Sequence, residues 1–252
     1  MVDSHCHLTD PRLRGQLEDV LGRAAAAGVT RMITIGTSVD DARAAIELCH
    51  AHPQLRCAIG IHPNYSHEAK ADDVATIREL QRDPAVVALG EMGLDYFHQF
   101  ADRATQRRFF EQQLALAAEL DRPVVIHSRD ATDDTLAILR NFPSVRCDFH
   151  CFTGSLAEAT KILDAGHYLG FTGAVTFKKN DELREAVRRT PRDRLLIETD
   201  APYLTPEPMR KQKTNEPALV VHVAATIAKV WGVSIEEVDT ITTKNVDRFF
   251  NF

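Results

Sequence analysis

Short apolar runs punctuate the chain at near-even spacing. They fall at 2–5, 31–36, 57–61, 86–90, 123–127, 145–150, 167–171 and 195–199, and each reads as a strand. Successive runs start 22 to 37 residues apart. Each gap leaves room for a helix and a return loop. Eight β-then-α units predict an α/β protein built as a single (β/α)8 TIM barrel.

The segments between the runs carry helix signals. Asp10-Pro11 can cap and open a helix that runs to 27 and stops at Gly28. Ser38 with Asp41 makes a variant capping box, and Ser155 with Glu158 makes a standard one, closed by Gly166. The stretch FFEQQLALAAEL presents Phe109, Phe110, Leu114, Leu116, Ala117 and Leu120 on a helix face. Residues 216–231 read as a helix, Ser234 with Glu237 opens a short one, and 243–250 closes the chain. A doubly wound open sheet would want a Gly-rich phosphate loop after the first strand. The first strand runs instead into HCHLTD.

Composition changes this picture little. The 252 residues are 44% hydrophobic and 26% charged, as in ordinary globular proteins. No linker or composition break divides them, so a single domain over 1–252 is expected. Asp plus Glu outnumber Lys plus Arg by 36 to 30, giving a net charge of −6. Any polyanion partner would therefore need local basic patches or bound cations. The five cysteines, with no CxxC pair, suit reduced thiols and a cytoplasmic protein. No apolar run approaches the roughly 18 residues that span a membrane.

The polar residues fall where a barrel keeps its chemistry, at the C-terminal ends of the strands. Strand one ends at His5 and His7, strand three runs into His62, and strand four ends at Glu91. Strand five ends at His127, strand six at His150 and strand eight at Asp200. Side chains alternate along a strand, so His5 and His7 share a face while Cys6 points the other way. By the same rule Glu198 shares a face with Asp200. Imidazoles and carboxylates gathered at one mouth suit divalent Zn, Mn or Mg. His50, His52, His67, His98, His167 and His222 have no such placement and read as surface or core residues.

Six stretches then match one family in order: DSHCHL, GIHP, GEMGLDY, PVVIHSRDA, HCFTG and ETDAPYLTP, with the tail TNEPALVVHVAATIAKVWG. The chain resembles the TatD-type metal-dependent deoxyribonucleases of the amidohydrolase-like barrels, over essentially its whole length. The resemblance implies two divalent ions. His5, His7 and Asp200 would hold one, His127 and His150 the other, and Glu91 would bridge them. It also implies hydrolysis of DNA phosphodiester bonds by a metal-activated water, as a 3′-5′ exonuclease on single-stranded ends; a monomer is expected. Glu91 and Asp200 would be the catalytic pair, with Asp200 as general base, and Glu198 would steady a ligand. The chain departs from the family pattern at Asn64, where a second His is usual, and at Met92, where Thr is usual. It departs again at Phe97-His98, where Arg commonly follows the tyrosine.

Substrate contacts are expected from the loops at the same end. Lys178 and Lys179 follow strand seven, Arg210, Lys211 and Lys213 follow strand eight, and Arg129 follows His127 by two residues. Such groups would hold phosphate without reading bases. Tyr96, Phe97 and Tyr203 would stack on unpaired bases, and His62 would touch substrate or support a ligand. Two rivals share the barrel: a hydrolase of small amides, esters or lactones, and an aminoacyl-tRNA ester hydrolase. A non-catalytic metal or nucleic-acid binding protein is the third alternative.

Overall fold

A computed structural model describes residues 1–251. Its strands are β1 (Val2–Cys6), β2 (Arg31–Gly36), β3 (Leu55–Ile59), β4 (Val86–Asp95), β5 (Val124–Arg129), β6 (Cys147–Phe149), β7 (Tyr168–Phe171) and β8 (Leu195–Ile197). They lie in one sheet in sequence order. The helices are α1 (Pro11–Arg14), α2 (Leu17–Ala26), α3 (Val39–Ala51), α4 (Asp73–Leu80), α5 (Arg103–Leu120), α6 (Thr132–Leu139), α7 (Leu156–Asp164), α8 (Asp181–Arg189), α9 (Val220–Trp231) and α10 (Ile235–Phe250). Parallel strands in sequence order, alternating with helices, are the (β/α)8 topology of the TIM-barrel class. No single helix is long and apolar enough to cross a membrane.

The chain divides into two compact units. One comprises Met1–Thr34 with Cys151–Phe252, and the other Ile35–His150. In the first unit β8 pairs with β7 and also lies beside β1, which pairs with β2. The link between β1 and β8 is polar. Both carboxylate oxygens of Asp3, fully buried, take hydrogen bonds from Thr199, one from its amide at 2.9 Å and one from its hydroxyl at 2.6 Å. In the second unit β3, β4, β5 and β6 pair in turn. Every residue of β4 is buried. Phe109, Phe110, Leu114, Leu116 and Ala117 of α5 are buried, as the sequence pattern requires.

Several boundaries differ from the sequence reading. β4 does not stop at residue 90 but continues to Asp95. Gly90 and Gly93 have φ of 132° and 141° and let the backbone run against β5. The helix expected over 10–27 is broken at Gly15-Gln16, where Gln16 leaves helical geometry (φ −136°, ψ 32°). The two short helices expected after Ser234 are one, α10. Its threonines satisfy their own hydroxyls on carbonyls one turn back, Thr240 on Glu236 and Thr242 on Val238, so they sit in the helix without breaking it. The segment after 216 opens with a 3₁₀ turn, Pro217–Leu219, before α9.

Burial pushes the Asp3 carboxyl up to about 8. Its folded pKa then lies above its unfolded one, so the folded state holds more protons between about pH 4 and 8 and loses stability as pH rises through that window. Asp3→Ala should cost about 3 kcal/mol by leaving both Thr199 donors unpaired. In chelator, the stability of the wild type relative to Asp3→Asn should fall from pH 4 to pH 8. Denaturant midpoints across that range check both statements.

Candidate metal centres

In the first unit, β1 delivers His5 and the residue just past its end delivers His7. Their Nε2 atoms are 3.3 Å apart. Asp200 closes the group, with Oδ1 3.3 Å from His7 Nε2 and 3.8 Å from His5 Nε2. Asp200 sits in the left-handed region (φ 53°), a conformation Asp tolerates better than most residues. Its amide donates to the His5 carbonyl at 2.9 Å. The turn behind it is held by Asn215, whose amide nitrogen donates to the carbonyls of Thr199 and Tyr203. Ligand atoms of His5, His7 and Asp200 all lie within 4.8 Å of one another. Two imidazoles and a carboxylate at that separation fit a divalent cation.

The second unit carries another group. Oε1 of Glu91, on β4, lies 2.7 Å from His150 Nε2, 2.8 Å from His127 Nδ1 and 3.2 Å from His62 Nε2. His62, Glu91 and His127 likewise offer ligand atoms within 4.8 Å. All four residues are at least largely buried. Burial alone would raise the Glu91 pKa, but the imidazoles around it, His150, His62 and His127, hold it well below the usual carboxylate range. Burial pushes His62 down to about 4, leaving a neutral imidazole at pH 7. Burial would also lower His127, yet its bonds to Asp95 and Glu91 carry it above its ordinary value.

The strand register explains how His127 comes to be held at both nitrogens. His127 pairs with Gly93 across β4 and β5. Glu91 and Asp95 lie two residues to either side of Gly93, on the same face of β4. A Cβ at Gly93 would stand 2.0 Å from the His127 carbonyl oxygen, so only glycine allows this approach. Nδ1 of the ring meets Glu91, and Nε2 meets Asp95 Oδ2 at 3.0 Å. A carboxylate behind an imidazole fixes its tautomer and orientation toward an ion.

Asp95 is the member of this group that the sequence reading passed over, although GEMGLDY contains it. Its signal was the alternation Glu91, Gly93, Asp95. It also binds two residues given other readings. Asn64 Nδ2 donates to its Oδ2 at 3.2 Å, and His98 Nδ1 lies 2.8 Å from the same oxygen. His98, read as surface or core, thus belongs to the support of His127. His62, read as a substrate contact, lies among the candidate ligands.

The remaining candidates each have partners of their own. Glu198 is fully buried, and its carboxylate accepts from the Cys151 amide and the Ser4 hydroxyl in the first unit. Tyr203 is half exposed, edge-on to His7 with centroids 6.1 Å apart and with the Arg12 guanidinium over its ring. Arg210 lies over the Phe177 ring at 3.7 Å, and Lys178 is exposed after β7. Arg129 ends β5 with its guanidinium over Phe97 at 4.8 Å. Tyr96 is engaged with the protein, donating to Asp134 beneath the Arg103 guanidinium, so it is no free stacking surface. A cavity of about 450 Å³, lined by Thr37, Ser38, Ile61, Tyr65 and Lys70 among others, contains none of the candidate ligands.

Residues 2–251 match the family model described as TatD related DNase. The chain is 40% identical to the metal-dependent hydrolase YabD of Bacillus subtilis, over 99% of this chain and 98% of the relative. It is 36% identical to the 3′-5′ ssDNA/RNA exonuclease TatD of Erwinia tasmaniensis, covering all of both chains. Among solved structures it superposes on YjjV, a TatD homologue from Escherichia coli, with a TM-score of 0.94 at 28% identity, covering 100% of this chain and 98% of that one.

Asp95→Asn keeps the shape of the side chain but removes the charge behind His127. It should weaken divalent-cation binding by about 10- to 100-fold. Competition with a chromophoric chelator measures this directly, without reference to turnover.

Proposed function

The chain belongs to the TatD-related DNase family and is a metal-dependent hydrolase acting on ester bonds, and from that premise we propose that it shortens single-stranded DNA from the 3′ end by phosphodiester hydrolysis. The observation that carries this reading is the pair of ligand groups, His5-His7-Asp200 and His62-Glu91-His127 with His150 on Glu91. Each group combines imidazoles with a carboxylate, and each would hold a divalent ion, Zn, Mn or Mg. Ions held there supply Lewis acidity toward a phosphoryl oxygen and make hydroxide available from water near neutral pH.

The protein's own groups do the rest. Asp200, oriented by its left-handed backbone and by Asn215, accepts the proton of the attacking water. Glu91 holds His62, His127 and His150 on one oxygen, and Asp95 keeps the His127 ring from turning. Arg129, Lys178 and Arg210 contact phosphates and Tyr203 contacts a base, which lets a chain of net charge −6 hold a polyanion. Glu198 braces the end of β8 through Cys151 and Ser4. The Erwinia relative named as an ssDNA/RNA exonuclease supports a single-stranded nucleic-acid substrate. The five cysteines, with no CxxC pair, fit a reducing compartment such as the cytoplasm, and the protein is taken to work as a monomer.

The test is metal-reconstituted turnover on end-labelled single-stranded DNA, beside RNA of the same sequence and a panel of small esters and lactones. Stepwise loss of nucleotides from the 3′ end is expected, abolished by chelator and restored by metal. Asp200→Asn should lower turnover about 100-fold or more at saturating metal. Hydrolysis confined to the small esters overturns the nuclease reading.

A further inference from the structure

The loop between β4 and α5 carries the two most exposed large apolar side chains among the described residues, Phe97 at 58% and Phe100 at 61%. Large exposed aromatics on a floppy loop would need no explanation. This loop is pinned at its base. Asp95 Oδ1 accepts from the amides of Phe97 and His98 at 3.0 and 2.8 Å. Gln106, buried on α5, donates to the carbonyls of Asp95 and Ala101 and accepts from the Asp95 amide. The Tyr96 amide donates to the Arg129 carbonyl of β5.

The rings on this pinned loop form one surface. His98 lies nearly parallel to Phe100, with centroids 5.7 Å apart and planes at 15°. Phe97 meets His98 edge to face at 4.9 Å. Arg129, exposed, places its guanidinium 4.8 Å from the Phe97 centroid. Aromatic rings beside a cation match the chemistry of a nucleic-acid strand, whose bases stack and whose phosphates are anionic. Only an unpaired base offers a free face to such a surface. The surface is also tied to the chemistry, because Asp95 caps the loop with one oxygen and holds His127 with the other.

We propose that Phe97, His98, Phe100 and Arg129 form a stacking platform that binds unpaired bases of the strand being hydrolysed, and so sets a preference for single strands. The proposal rests on the nucleic-acid reading given above. Its test reads binding without turnover, so that the two can fail separately. A short fluorescein-labelled oligothymidylate is titrated with the protein in EDTA, and anisotropy is followed. Wild type should bind it, and the double variant Phe97→Ala, Phe100→Ala should bind about tenfold more weakly or worse. An abasic strand of equal length should bind both proteins alike. Arg129→Gln should reduce the slope of log binding constant against log salt by about 1. Thermal melting establishes that the variants are folded.

Equal affinity of wild type and double variant for the base-bearing strand overturns the platform, as does a wild type that binds abasic and base-bearing strands alike. A double variant that loses self-association in sedimentation while binding the strand normally would assign the rings to a contact between copies, and also overturns it. Stacking-dependent binding without any cleavage would refute the proposed reaction and leave the platform standing.

Discussion

The second unit depends on one buried charge. Asp95 has no exposed surface, and an ion taken out of water costs several kcal/mol even after relaxation. Five donors offset that cost: the amides of Phe97 and His98, the Asn64 side chain, and the rings of His98 and His127. Burial would raise the Asp95 pKa, but the bonds from His127 and His98 hold it well below the ordinary carboxylate range. Those bonds favour the ionised form of Asp95. An ionised carboxylate behind His127 leaves that ring one orientation, with Nδ1 toward Glu91. Turning the ring or moving the loop would leave the buried charge short of donors.

That arrangement requires β4 to run on past Glu91. Two glycines in the left-handed half of backbone space carry the strand close along β5, and the register then places His127 opposite Gly93. A side chain at either glycine would collide with the β5 backbone, at 2.5 Å from the Val125 carbonyl for Gly90 and 2.0 Å from the His127 carbonyl for Gly93. The first unit solves the corresponding problem with a different device. There Asp200 itself takes the left-handed conformation and folds its carboxylate back onto His5 and His7. Asp3 and Asn215 brace the end of β8 by hydrogen bonds to Thr199.

The chain's apolar runs made eight strands legible because each run is buried and bounded by turn residues. Strand-end imidazoles and carboxylates were legible because alternation assigns them a face without knowledge of the fold. What escaped was whatever depends on two strands at once. Glycine normally signals a strand's end, so β4 read as stopping at residue 90, and Asp95 fell outside it. His62 follows β3 at a position that alternation does not fix, and only the fold brings it to 3.2 Å from Glu91. His98 looked like an isolated surface histidine, since its partner Asp95 had no assigned role. The unbroken α10 was hidden by its threonines, whose low helix propensity is offset by their bonds to the preceding turn.

The departures from the family pattern acquire a common physical meaning in this light. Asn64 and His98 act on one side chain, that of Asp95. Both donate to Oδ2 of Asp95, the oxygen that also holds His127. Met92 is fully buried and alternates away from Glu91 along the strand. None of the three changes alters a candidate ligand. Two of them meet on a single oxygen, so they cannot be independent: a change at one alters the hydrogen bonding that the other must complete. His98 in addition lays its ring against Phe100 at the surface. One position thus supports the candidate ligand His127 from behind, through Asp95, and shapes the exposed face in front, so a change at His98 alters both at once.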